Sequence, residues 1–370
     1  MYSESDLESA VAGGVLTPAQ AASFRNFVAA GQHSPAVDEE HFRLLTGFND
    51  IFVAIATAIL LVAVAWIGQY VGPNINGDGP SPTSGLLVAA TGWGLAEYFT
   101  RQRRMALPSI LMLLAFVGGT FATALFTIVM VIGTTTLEHN GQAGAIIVAM
   151  SAAIAGIGAW LHWRRFKVPI TIAVGAATGV ALVLGLIVSA FVSDNMTDAQ
   201  GETLKNVLLA SSLVLGIGTF LFAMRWDASD PTRETRRSDV AFWLHLLAAP
   251  LIVHPVFELL GLTQGAATTL DAVLVIGLYV GLGLVALAID RRALLVSALA
   301  YVLFALNSLF QTYGAVELSV AMTALVIGSA LLLLSAFWAS ARRAVVTPLP
   351  TGLRGKLPVL DRAKAAAAAA

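Results

Sequence analysis

Residues 51–71 read IFVAIATAILLVAVAWIGQYV, a run without a single charge. As a helix rising about 1.5 Å per residue, it covers the roughly 30 Å of hydrocarbon in a bilayer. Similar apolar runs fall at about 85–99, 109–133, 142–162, 169–192, 207–225, 240–260, 271–289, 293–312 and 316–340. The second is short and ends in Ala96-Glu97-Tyr98-Phe99. Breakers such as Pro73-Asn74-Ile75-Asn76-Gly77 and Asn140-Gly141 separate the runs. The fold expected is therefore all-α, a polytopic membrane helix bundle of about ten transmembrane helices.

Composition agrees. The chain is 57% hydrophobic and 12% charged, half the charge of an average soluble protein at roughly 25%. A mean hydropathy of +0.81 over 370 residues needs lipid as solvent. The formal net charge of -1 points away from nucleic acid. The absence of cysteine excludes disulfides, thiolate catalysis and cysteine metal sites.

Basic residues set the expected orientation. Arg and Lys gather in 1–47, 100–108, 163–168, 225–239, at Arg291-Arg292 and in the tail, so that 20 of 21 lie on one side; only Lys205 lies on the other. Under the positive-inside rule the basic side is cytoplasmic, and an even span count places both termini there. The polar first 47 residues predict no cleavable leader, so the first span serves as signal and anchor.

Three segments follow. Residues 1–47 form a cytoplasmic helical hairpin and linker, turning at Gly13-Gly14, with a capping box at Thr17-Pro18-Ala19-Gln20. Phe24, Phe27 and Val28 share one face of its second helix. So small a unit cannot bury a core of its own, and is expected to dock on a partner protein, a second copy or the membrane domain. Residues 48–341 form the transmembrane domain. Residues 342–370 form a basic tail with Pro348, Pro350 and Pro358, extended against anionic headgroups, ending in poly-alanine.

Small residues at Gly175/Gly179, Gly277/Gly281 and Ala152/Gly156 are spaced for close helix packing. The segment Arg103–Ile110 is echoed by Arg164–Thr171, each placing basic residues before a proline at a helix start. Span seven carries the densest chemistry. Pro250 and Pro255 remove amide donors, leaving the carbonyls of Leu246 and Leu251 without helical partners. In lipid, neighbouring side chains must satisfy them. His254 and Glu258 share a face there; Asp271, Asn307, Gln311 and Glu317 are expected nearby on the outer side. Together these six residues form a candidate proton or cation relay. Glu97 is expected to pair with Arg101, and Asp50 to sit in a helix first turn. His245 lacks a second histidine at matching depth for a bis-histidine haem. No phosphate-binding loop, dinucleotide fingerprint, metalloprotease motif or nucleophile elbow is present. The sequence therefore offers no catalytic residue, no metal site and no cofactor, and argues against an enzyme.

The opening Leu7…Gly14-Val15-Leu16-Thr17-Pro18-Ala19-Gln20-Ala21, the Phe48-Asn49-Asp50-Ile51-Phe52 at span one and the paired arginines ahead of later spans resemble the DUF2157-like bacterial multi-pass membrane proteins with a short N-terminal helical hairpin. The resemblance covers most of the chain. It implies a bacterial inner-membrane protein and brings no catalytic residues with it. Two functions fit: a proton- or cation-coupled transporter working through span seven, or a non-catalytic accessory or scaffold subunit recruiting partners through residues 1–47.

Overall fold

The computed structural model describes residues 4–31, 48–138, 140–231, 233, 235–261, 269–292, 294, 295, 299, 302, 303 and 319–360. Among them the regular structure is helical throughout. The N-terminal hairpin pairs α1 (Glu4–Ala12) with α2 (Pro18–Gly31). Gly14 turns the chain at φ +73°, where a side chain would be strained. The capping box is present: Gln20 N donates to Thr17 Oγ1 at 3.2 Å, and Thr17 N to Gln20 Oε1 at 2.9 Å. Leu7 and Ala21 are its buried apolar residues.

The membrane bundle runs through α3 (Phe48–Val71), α4 (Pro82–Leu95), α5 (Ala106–Ile132), the short α6 (Thr134–Glu138), α7 (Gly141–Phe166), α8 (Ile170–Phe191), α9 (Asp198–Ala228), α10 (Arg236–Leu259), α11 (Thr269–Ile289), α12 (Ser319–Ala336) and α13 (Trp338–Val346). Asn140 caps α7, accepting from Ala143 N at 2.9 Å, and Asp50 is buried in the first turn of α3. Antiparallel hairpins α4–α5, α7–α8 and α9–α10 form the tightest pairs.

Among the described residues, six helices are long and apolar enough to cross a membrane: α3, α5, α7, α8, α9 and α10. A seventh crossing exists if α12 and α13 count as one bent span. Among the described residues the count of ten is not confirmed. The second run forms only the 14-residue α4, begun by Pro82 and extended by a π-turn over Ala96–Thr100. Helix α11 runs 21 residues, of which Val273–Ile289 is the apolar part whose side chains are all described. Most of run 293–312 lies outside the described residues.

Within run 316–340 the chain bends by 74° between α12 and α13. The bend brings Trp338 Nε1 to within 2.7 Å of Asp290 Oδ1 and stacks Arg292 4.8 Å over the Trp338 ring. The start of the tail is likewise not extended. The buried Arg342 guanidinium donates to the carbonyls of Pro358 (2.7 Å) and Val359 (3.1 Å), folding 347–360 back. The terminal poly-alanine lies outside the described residues.

Close helix approach occurs mostly at glycines other than the expected ones. A Cβ on Gly85 would lie 2.7 Å from Thr123 N, and one on Gly119 2.6 Å from Gly85 O, so α4 and α5 touch backbone to backbone. Gly156 does face Thr178 at 3.0 Å, beside the buried Ala152. Gly175 makes an ordinary contact at 3.8 Å, whereas Gly179, Gly277 and Gly281 meet nothing within 4 Å among the described residues. Regular spacing marks small residues, but which face meets a neighbour is decided by tertiary packing.

Candidate functional site

Helix α10 is the most enclosed span, with 50% of its apolar window buried against 17–39% for the other five. Polar groups occupy its two ends and its middle. At the acidic end, His254 is exposed, while Glu258 is part-buried and pairs with Lys205 Nζ of α9 at 2.9 Å. Lys205 thus pairs with the expected relay carboxylate. Asp271 falls in the first turn of α11, its side chain outside the described set; Asn307, Gln311 and Glu317 also lie outside the described residues. Of the six expected relay residues, the structure places His254 and Glu258 on α10 and adds Lys205.

In the middle, α10 runs unbroken through Pro250 and Pro255. The carbonyl of Leu251, deprived of its donor by Pro255, accepts from Ser212 Oγ on α9 at 3.4 Å. This is the side-chain rescue that a proline in lipid requires. Gly216, one turn on from Ser212, lets α9 approach: a Cβ there would stand 2.9 Å from the Leu251 carbonyl carbon.

The basic end holds a buried charged network that the sequence reading missed. It is built from the C-terminus of α11 outward. Asp290 adopts the left-handed conformation (φ +58°). Arg291 N donates to Ala286 O at 2.8 Å and Asp290 N to Leu287 O at 3.3 Å, a Schellman turn with aspartate where glycine is usual. The turn directs Arg291 inward, where it is 1% exposed. Its Nη2 donates to Asp227 Oδ1 of α9, and to Ser238 O (3.0 Å) and Oγ (3.1 Å) of α10. His245 Nε2 meets Asp227 Oδ2 at 3.1 Å, with Phe220 packed edge-on to the imidazole. The other nitrogen, His245 Nδ1, is buried and has no hydrogen-bond partner among the described residues. Arg233 donates to the last carbonyls of α11, Ile289 O (2.8 Å) and Asp290 O (3.2 Å), a favourable place for a cation at a helix C-terminus. Arg233 and Arg342 each approach Asp290 Oδ2 at 3.6 Å. One connected set of charges therefore ties α9, α10, α11, α13 and the tail together.

Arg233, Arg291 and Arg342 look like loop and tail charges in the sequence, yet all three are buried. The available signal was Asp227, an acid within Arg225-Trp226-Asp227 at the end of an apolar run otherwise bordered by basic residues. A second buried histidine, His162, sits among Trp93, Phe116 and Phe166, with Nδ1 3.3 Å from Thr171 Oγ1. Among the described residues no three His, Asp or Glu side chains stand together to hold a metal ion.

The network gives the tail its anchor. Arg342→Ala removes both guanidinium bonds to 358 and 359, so trypsin is expected to cleave at Arg354 and Lys356 on the order of tenfold faster, because local opening no longer breaks those bonds. Unchanged cleavage kinetics in a digestion time course would show that the tail is held elsewhere.

No protein-family model, curated protein or solved structure matches the chain.

Proposed function

We propose that the chain is a proton- or cation-coupled carrier of a bacterial inner membrane, with α10 as its working helix. The observation that supports this reading is the Asp227–His245 contact: both side chains are fully buried within paired spans, and one imidazole nitrogen has no partner among the described residues. Ionisable groups at such a place are costly and generally functional. His245 and Arg291 both contact the Asp227 carboxylate, so a proton arriving at the imidazole would compete with Arg291 for that acceptor. Protonation is thereby coupled to the position of α11, the two-state element a carrier needs. Glu258, Lys205 and His254 mark the opposite mouth of the same helix pair. In this reading the basic end is cytoplasmic, the spans number ten, and the DUF2157-like resemblance holds.

The test is cation-driven proton movement in proteoliposomes carrying a trapped pH-sensitive dye, with sodium or potassium added outside. Internal pH is expected to shift with the wild-type chain. His245→Gln and Glu258→Gln should each lower the rate at least about tenfold while melting like wild type. Full rates in both variants would remove α10 from the mechanism.

An accessory or scaffold role is the second reading, supported by the α1–α2 hairpin, whose two short helices are too small to bury a core of their own. It predicts a wild-type chain inert in the liposome assay and a co-purifying protein lost on deleting residues 1–40.

A further inference from the structure

A cavity of about 440 Å³ opens at the basic end, between the end of the π-turn after α4 and the basic ends of α5, α7, α8 and α10. Arg101, Arg104, Arg165, Lys167 and Arg236 line it, against a single lining carboxylate, Asp239. Two of the five cations are already engaged. Arg165 grips Glu97 through two bonds of 2.7 and 2.9 Å, and Arg101 reaches the same carboxylate at 3.3 Å. Arg104, Lys167 and Arg236, from three separate elements, form no ion pair among the described residues, although Lys167 Nζ lies 5.2 Å over the Trp163 ring. Two of them, Arg104 (φ +54°) and Lys167 (φ +55°), hold the left-handed conformation, uncommon for residues other than glycine.

The backbone adds to this field. α5 and α8 both begin on the cavity, at Met105–Ala106 and Pro169–Ile170, and neither has a side-chain cap. The first turns of these long helices direct amides and positive dipole ends toward it. The echoed segments 103–110 and 164–171, separate in sequence, thus converge on one space. Ile110, Val168 and Trp243 supply an apolar wall beside the charges.

We propose that this cavity binds a phosphate group, carried either by an anionic phospholipid or by a soluble phosphate ester. Three cations outside any ion pair, approaching from different elements, suit a tetrahedral anion with several oxygens better than a planar carboxylate, which one arginine fork can satisfy. Basic pockets between membrane helices take lipid headgroups by the same physics. The volume fits a small ligand or a headgroup. The site stands apart from the carrier reading and does not depend on it.

The experiment uses the full chain in neutral detergent micelles, titrated separately with dioleoylphosphatidylglycerol, dioleoylphosphatidylcholine, glycerol 1-phosphate and inorganic phosphate. Thermal midpoints report stabilisation, and native mass spectrometry counts retained molecules. Saturable binding of phosphatidylglycerol above phosphatidylcholine identifies a lipid source; saturable binding of glycerol 1-phosphate or phosphate identifies a soluble one. In either case the Arg104→Glu, Arg236→Glu double variant is expected to bind on the order of tenfold more weakly. If that variant does not fold, Arg104→Gln with Arg236→Gln serves the same purpose. Arg343→Glu, which reverses an exposed charge outside the cavity, should bind as wild type does. The proposal is overturned if no probe binds saturably, if the double variant binds unchanged, or if Arg343→Glu weakens binding equally.

Discussion

Replacing Asp227 with alanine is expected to cost about 3–5 kcal/mol of stability, among the largest single effects available in this chain. The side chain is buried, and it is the acceptor for Arg291 and His245 at once. Its removal leaves the Arg291 guanidinium inside the bundle, with only Ser238 O and Oγ to receive its hydrogens. An uncompensated buried cation loses far more than an ion pair gains, because desolvation of the charge remains while the attraction is gone. Asp227→Asn keeps an acceptor oxygen facing Arg291 and should cost less. The double change Asp227→Leu with Arg291→Met removes both charges and should recover much of the loss, since apolar side chains of similar volume satisfy such a site well. Thermal unfolding of the four proteins in one detergent reads this order directly. An Asp227→Ala protein that melts with wild type would show that the network does not hold α9, α10 and α11 together.

Most of the fold follows from short-range rules, and these were legible. The capping box at Thr17, the Glu97–Arg101 pair and the need of the Leu251 carbonyl for an outside donor all depend on residues within one or two turns. What the sequence left open depends on three-dimensional neighbours. Ser212 is 39 positions from Leu251, Lys205 is 53 from Glu258, and Arg291 is 64 from Asp227. The positive-inside count treats every arginine near a span as an interfacial charge. Arg101 and Arg165 fit that description, both exposed and paired with Glu97. Arg233, Arg291 and Arg342 do not, because the left-handed turn at Arg233, the Schellman turn at Asp290 and the bend at Phe337 each carry one of them inward toward Asp227 and Asp290. Neither the Schellman turn nor the bend carries its usual sequence marker: aspartate stands at the left-handed position, and no proline interrupts Ala336-Phe337-Trp338.

Gly216→Leu is the second substitution expected to act strongly, and Gly218→Leu is its internal control. A Cβ at 216 would lie 2.9 Å from the Leu251 carbonyl carbon, the Leu251 Cβ and Ile252 Cγ1, whereas one at 218 meets nothing within 4 Å among the described residues. Both changes replace glycine in the same helix and gain the same intrinsic propensity, about 1 kcal/mol. Only the first must force α9 away from α10 backbone, and overpacking of this kind costs about 1–3 kcal/mol, more where backbone cannot yield. The α9–α10 pair is also a ladder, with Lys205–Glu258, Ser212–Leu251 and Asp227–His245 spaced along one interface. Separation at Gly216 strains all three contacts together, so the loss should exceed that of a local clash. Gly218→Leu is expected to melt at or slightly above the wild-type temperature, and Gly216→Leu several degrees below it. Gly216→Ala should fall between wild type and leucine, because it adds the one atom that meets the Leu251 backbone. Equal melting of the 216 and 218 leucine variants would mean that α9 and α10 are not in backbone contact. The ladder along α10 would then have to be held by its ends alone.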